Sequence, residues 1–345
     1  MSDPDPSAAR PPRRPRYGGS NPRRFEQKYK EHDGGRYPET VAKVIASGKT
    51  PAGTHLPIMM EECLAALGLR EGSIGVDATL GYGGHAAGIL KRITASGKLL
   101  GMDLDPLEMP KTLARLRALG FGENTFEALR CNYAGLAKVL AERGIDGVDF
   151  VFADLGCSSM QLDDPARGFS FKFAGPLDMR MNPNRGLSAA EWLAKVTTAK
   201  LETALHEHAD EPQAAELALA LAGRRFANTM ALTTAVRACL SGRAEEGVEL
   251  TIRRVFQAVR IAVNEEFTAL DGLLRVLPDC LKPGGRTVFL TFHSGEDRRV
   301  KKAFQAGWRD GVYSRISEEV VTASPQERHL NSRSSSAKLR WAIKA

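Results

Sequence analysis

Cysteine is scarce and scattered: five residues in 345, at Cys63, Cys131, Cys157, Cys239 and Cys280, with no Cys-x-x-Cys pair among them. That number and spacing exclude a disulfide framework, argue against a zinc site, and fit a reducing, cytoplasmic compartment. Long apolar runs are also missing. None approaches the roughly 18 residues that a membrane-spanning helix needs, and nothing resembles the apolar core of a secretory signal. No internal repeat and no metal-ligand cluster stands out.

Positive charge is present but unevenly placed. Of the net +7, residues 1–36 contribute +4, from nine Lys or Arg against five acids. The body is nearly neutral, so charge alone allows a nucleic-acid partner without demanding one. Residues 1–50 are rich in Pro, Arg, Gly and Ser and lack periodicity, which predicts a disordered basic tail. Organelle transit peptides are poor in acids, whereas Asp3 and Asp5 open this chain. A solvated tail that touches phosphates is the expectation.

From Thr54 short apolar runs alternate with longer helical stretches: Ser73–Thr79, Lys98–Asp103, Phe126–Cys131, Val148–Leu155 and Arg286–Phe292. Such runs, spaced by helices, predict a parallel α/β sheet. The apolar positions from Thr251 to Leu277 repeat at helical spacing and predict one helix ending at Pro278. Lys282-Pro-Gly-Gly285 then turns into the fifth strand, and Lys338–Ile343 alternates as an edge strand would. Between the fourth and fifth strands lie 130 residues (156–285), far more than one crossover needs. They carry helical signals of their own: a capping box at Ser188-Ala-Ala-Glu191, then Leu217–Arg225 and Thr234–Leu240. A helical domain over 166–249, inserted between α/β segments 54–165 and 250–345, is expected.

The first strand runs into Leu80-Gly-Tyr-Gly-Gly-His-Ala86, and a helix follows. Glycines there let backbone amides approach a ligand and admit positive φ. The next strand ends at Asp103, where a carboxylate can accept both ribose hydroxyls of a nucleoside. Gly81-Tyr-Gly83-Gly-His-Ala86 equally satisfies a dinucleotide fingerprint, so NAD stays open beside S-adenosylmethionine. The fourth strand ends Asp154-Leu-Gly-Cys-Ser-Ser159, an acid and Gly-Ser loop able to hold an amino group beside a methyl donor.

Taken in order, Gly81-Tyr-Gly-Gly-His85, Asp154-Leu-Gly-Cys-Ser-Ser-Met-Gln-Leu-Asp163, Arg167-Gly-Phe-Ser-Phe171, Gly175-Pro-Leu-Asp-Met-Arg-Met181, Phe256-Gln-Ala-Val-Arg-Ile261 and Phe292-His-Ser294 resemble the RsmH (MraW) family. The resemblance runs from about Thr54 to the C-terminus. It implies a class I, Rossmann-like S-adenosylmethionine-dependent methyltransferase with an inserted helical domain, acting on the N4 amino group of a cytidine in 16S ribosomal RNA. It also implies cofactor contacts at Gly83, Gly84, His85, Asp103, Tyr133, Asp154 and Gln161. The partner is small-subunit ribosomal RNA or the assembled small subunit, with no metal and no membrane.

Chemistry then suggests roles. A cytosine N4 lone pair is delocalised and weak, so hydrogen-bond acceptors must raise its density and receive its proton. Asp154, Ser158 and Ser159 are the candidates. Phe169 or Phe171 could stack on an extruded base or simply pack in the core. Arg167, Arg180 and Arg260 could hold phosphates, and His293 ends the fifth strand beside them. This chain departs from the family pattern at Cys157, at Gly295, in His208-Ala-Asp-Glu-Pro-Gln-Ala-Ala-Glu216 and at Glu249-Leu-Thr-Ile252. A catalytically inactive RNA-binding assembly factor, an NAD-dependent oxidoreductase and a DNA amino-methyltransferase are the competing readings.

Overall fold

The computed structural model describes residues 57–345, and the expected basic tail over 1–50 lies outside the described residues. Five parallel strands carry the fold: β1 (Ile74–Asp77), β2 (Lys98–Asp103), β3 (Phe126–Arg130), β4 (Val148–Asp154) and β5 (Leu281–Thr291). Three further strands, β6 (Tyr313–Ile316), β7 (Val321–Thr322) and β8 (Lys338–Lys344), complete a sheet ordered β3-β2-β1-β4-β5-β8-β6, with β7 also on β8. Strand β8 runs antiparallel to β5, β6 and β7. It is therefore interior rather than the edge strand expected from its alternation, because β6 and β7 cap its far side.

Both faces of the sheet are covered, which is why its strands read as continuous apolar runs. Alternate residues serve opposite cores. Val151 and Ala153 point to a cluster with Leu270, Leu273, Leu277 and Phe304, while Phe150 and Phe152 point to one with Leu64, Ile89 and Leu90. The first face belongs to α11 (Glu266–Cys280) and α12 (Ser294–Arg309), the second to α1 (Met60–Leu67) and α2 (Gly84–Ile93). Helices α3 (Met109–Ala118) and α4 (Leu136–Ala141) complete the crossovers, and α5 (Ser159–Asp163) follows β4.

Four helices follow before the fifth strand's crossover: α6 (Ala189–Lys195), α7 (Thr198–Ala209), α8 (Ala214–Leu221) and α9 (Thr229–Cys239). The capping box opens α6 as expected, Ser188 and Glu191 each satisfying the other's backbone amide. These helices share an apolar cluster with α10 (Glu245–Asn264), whose Val248, Ile252, Val255, Phe256 and Val259 face it. The cluster thus reaches Val259, ten residues past the boundary expected at 249.

The single helix expected over Thr251–Leu277 is two. Glu265 adopts a left-handed conformation (φ 53°) between α10 and α11, and α11 runs through Pro278 to Cys280. The break brings two side chains together. Arg260 and Glu266 would lie about 120° apart around a straight helix, yet here they form a two-pronged pair at 2.8 and 2.9 Å. Lys282–Gly285 does loop out: Leu281 pairs with Val148, and Arg286 already pairs with Phe150.

Candidate active site

The tips of β1, β2 and β4 stand side by side at the carboxyl end of the sheet, where ligands bind in this architecture. From β1 the chain enters the glycine turn. Gly83 holds φ 81° as the cap of α2, and a Cβ there would press on Thr112. Gly81 turns its N–H onto Asp103 Oδ2 at 2.7 Å, and Asp105 donates its N–H to Asp103 Oδ1 at 2.8 Å. The Asp103 carboxylate is thereby held at the strand tip by two amides, each oxygen keeping lone-pair capacity. Burial raises its pKa, opposed by these same bonds.

Asp154, at the tip of β4, is seated by its own N–H on Thr79 Oγ1 at 2.6 Å. Its Oδ2 lies 3.5 Å from His85 Nδ1, and its Oδ1 is buried without a hydrogen-bond partner. Burial, then the neighbouring charges of Asp77 and Glu296, push this carboxyl up to about 8. His85 is buried beneath it, its ring tilted on Phe152 at 4.7 Å and its pKa lowered by burial to about 4. The ring is therefore neutral. Its Nε2 lies 3.0 Å from the carbonyl of Ile58, which can only accept, so the proton sits on Nε2 and the Nδ1 lone pair faces Asp154. Two acceptors cannot face each other at that distance without cost, which favours a proton on Asp154 in the free site. Asp77, one strand over and almost fully buried, is likewise raised by burial, to about 7. Asp77 carries no signal in the sequence, because it falls inside the apolar run Ser73–Thr79, whereas the strand itself ends at Asp77.

Ser158 is occupied. Its hydroxyl caps α5 by accepting from Gln161 N–H at 3.2 Å, and Gln161 Oε1 accepts from Ser158 N–H at 3.0 Å. Ser159 is the first residue of that helix. The other end of the Gln161 amide donates to Asp105 Oδ2 at 3.0 Å. Tyr133 follows β3 in a short turn, its hydroxyl 3.5 Å from the Glu266 carbonyl and its pKa raised by burial.

The three arginines expected at phosphates are each paired with a carboxylate. Arg167 is buried on Asp105 Oδ2 at 2.8 Å and donates to the carbonyls of Arg180 and Met181. Arg180 clamps Asp178 with Nε and Nη2, at 2.8 and 2.7 Å. Arg260 holds Glu266 and donates to Cys157 Sγ at 3.2 Å. Phe169 is buried, and Phe171 packs edge-on against Phe256 at 5.8 Å. His293 Nε2 lies 3.1 Å from Glu296 Oε1 without making a hydrogen bond, and the ring leans on Phe267 at 5.7 Å.

Three of the unusual residues converge here. His208 meets Phe267 edge-on at 5.2 Å, a Cβ on Gly295 would enter the Phe267 ring, and Cys157 takes the Arg260 bond. Glycine at 295 is thus the space that Phe267 fills.

The strand order, with one reversed strand between β5 and β6, departs from the all-parallel dinucleotide-binding sheet. With acids at the tips of β2 and β4, it defines a class I S-adenosylmethionine-dependent methyltransferase. Residues 52–345 match the MraW methylase family, and the chain belongs to it. It is 45% identical over 342 residues to "Ribosomal RNA small subunit methyltransferase H 1" of Lachnoclostridium phytofermentans, covering 96% of this chain and 93% of that one. The protein of the same name from Agathobacter rectalis is 44% identical over 342 residues, covering 96% and 97%. Among solved structures, a methyltransferase from Streptococcus mutans in complex with SAH superposes with a TM-score of 0.37 at 13% identity, over 84% of this chain and 100% of that one. Among the described residues no helix is long and apolar enough to cross a membrane, and no group of side chains forms a metal site.

Proposed function

We propose that the chain methylates the N4 amino group of a cytidine in small-subunit ribosomal RNA, in the cytoplasm. The observation that carries the chemistry is Asp154, an acid at a strand tip with one carboxylate oxygen buried and without a partner. The names and coverage of its relatives support the RNA substrate.

Bound S-adenosylmethionine supplies a methyl carbon already activated by its sulfonium. The residues present fit that group. Asp103 would take the ribose hydroxyls, Tyr133 would line the adenosyl side, and the amides of Gly84 and His85, at the open start of α2, would face the carboxylate end. Gly83 keeps the turn into that helix. We assign Asp154, in its ionised form, as the group that orients the attacking amine and takes its proton as the N–C bond forms. A pKa near the working pH suits that exchange. While Asp154 carries its proton, His85 Nδ1 can accept it, and loss of that proton frees the carboxylate for the amine. Ser158 and Gln161 hold the loop behind it, Gln161 through Asp105 rather than by free reach into the site. We assign Ser159, the first residue of α5, as a second polar group for the amine.

On the RNA side we assign the helical insertion, residues 166 to about 259, to substrate recognition. His293 borders that side. Phe169, Phe171, Arg167, Arg180 and Arg260 shape its wall through the pairs described above.

The test is methyl transfer from radiolabelled donor to purified small subunits and, separately, to free ribosomal RNA, with mass spectrometry of the digested nucleosides. N4-methylcytidine in either arm supports the reading, and the better arm names the substrate. Label in a different nucleoside, or in duplex DNA alone, ends it.

A further inference from the structure

We infer that Asp105 and Arg167 are positioning residues that link the ribose side of the cofactor site to the backbone of residues 176–181, so that the RNA side is set once the cofactor is seated. This rests on the reading that the insertion faces RNA.

The link is a continuous chain of short bonds. Asp103 accepts the N–H of Asp105 at 2.8 Å, so the acid expected to grip the ribose also fixes where Asp105 stands. The Asp105 side chain is 2% exposed and fully used: Oδ1 accepts from Leu107 and Glu108 amides, Oδ2 from Gln161 and from Arg167. Arg167 spends its other terminal nitrogen on the carbonyls of Arg180 at 3.1 Å and Met181 at 3.0 Å. Met181 in turn donates its N–H to Asn264 Oδ1 at 2.7 Å, and Asn264 Nδ2 reaches the carbonyls of Met179 and Arg260. Arg260 carries the chain to Cys157, in the loop after Asp154. The path therefore leaves one strand tip and returns to the other.

What it passes through is built to have few arrangements. Met179 is a completely buried residue with φ 61°, held by its N–H on the Arg167 carbonyl at 3.0 Å and by Asn264 on its own carbonyl. A side chain in that backbone region persists only where its surroundings dictate it. Gly168 and Gly175 lie so close to the backbone at Pro176 and Pro165 that neither could carry a Cβ. The segment is stiff, so a shift at Asp105 moves it as a unit rather than being absorbed locally. A buried ion pair far from solvent adds little stability by itself, and the register it enforces is the better account of its presence.

The probes are SAH and purified small-subunit ribosomal RNA. In the wild type, saturating SAH should tighten RNA binding on the order of tenfold, and RNA should tighten SAH by the same factor. Asp105→Asn and Arg167→Lys should bring that ratio close to one while each still melts cooperatively and binds SAH alone within a few-fold. A measurement on the wild type needs no variant: hydrogen exchange at the Met179 and Met181 amides should slow when SAH is added without RNA. A wild type that binds both ligands independently, unchanged exchange at those amides, or variants that keep the ratio overturn the link while leaving the proposed function standing. Failure of the wild type to bind SAH at all overturns both.

Discussion

Around the strand tips the acids are held by backbone and left with capacity to spare; the arginines in and beside the insertion are already closed onto carboxylates. Asp103 and Asp154 stand at strand tips, each steadied by a neighbouring amide or hydroxyl, and Asp154 keeps an oxygen without a partner. Across the cleft, Arg167, Arg180 and Arg260 are each closed onto a carboxylate within 2.8 Å. One side is built to receive a small ligand. The other is built to hold a shape.

The comparison breaks most visibly where the insertion's wall is tightest. Gly175→Ala would drive a methyl group into the Pro165 carbonyl, a clash that only backbone movement can relieve. A loss of roughly 4 kcal/mol or more is expected, as for overpacking that cannot relax, whereas Gly247→Ala, with open space around it, should change the urea midpoint little. Equal effects would mean the 165–181 wall is softer than described.

Next in size is Arg260→Met, which strands the buried Glu266 carboxylate. Removing one partner of such a pair costs about 3–5 kcal/mol, and the double change Arg260→Met with Glu266→Gln should recover most of it in chemical denaturation. An Arg260 that served phosphates instead would lose RNA affinity with stability intact.

Asp103→Ala attacks the cofactor side. SAH binding by calorimetry should weaken by roughly 1.5–3 kcal/mol, the range for charge-assisted hydrogen bonds, and the ligand-free protein should also melt lower because the Gly81 and Asp105 amides lose their acceptor. Unchanged affinity removes Asp103 from the site.

A smaller effect comes from acidity. Asp154 keeps its proton in the folded protein up to about 8, while the unfolded chain releases it near 3.8. Its contribution is therefore fully present below the unfolded value and is lost progressively as pH rises towards the folded one. Between pH 6 and 8 the ligand-free protein should lose on the order of 2 kcal/mol from this group, and Asp154→Asn should flatten that part of the pH–stability curve. A curve of the same slope in the variant assigns the loss elsewhere. Smallest of all is Arg253→Ala on the insertion's surface, an exposed partner of Glu249 at 3.4 Å. About 0.3–0.5 kcal/mol is expected there, and a loss as large as at Arg260 would erase the contrast between surface and wall.

Legibility followed the range of the forces involved. The parallel strands, the glycine turn, Asp103 and Asp154 were readable, since alternation, turn chemistry and strand-end position are local properties. The Ser188 capping box was readable for the same reason. The particular partners of Arg167 and Arg260 were not readable, because nothing near them in sequence reveals Asp105, 62 residues away, or the kink at Glu265 that brings Glu266 round. Strand β8 looked like an edge since its pairing with β6 and β7 depends on segments too short to signal themselves.

By itself, then, the sequence determined the layered α/β architecture, the acids at the strand tips and the presence of an additional helical segment. Those follow from periodicity and backbone preference, which act over a few residues. Only the tertiary structure decided which charges are spent on one another, where the long helix breaks and that His85 backs Asp154. Pairing of buried groups is set by who becomes a neighbour in space, and desolvation makes that choice costly to leave unfilled.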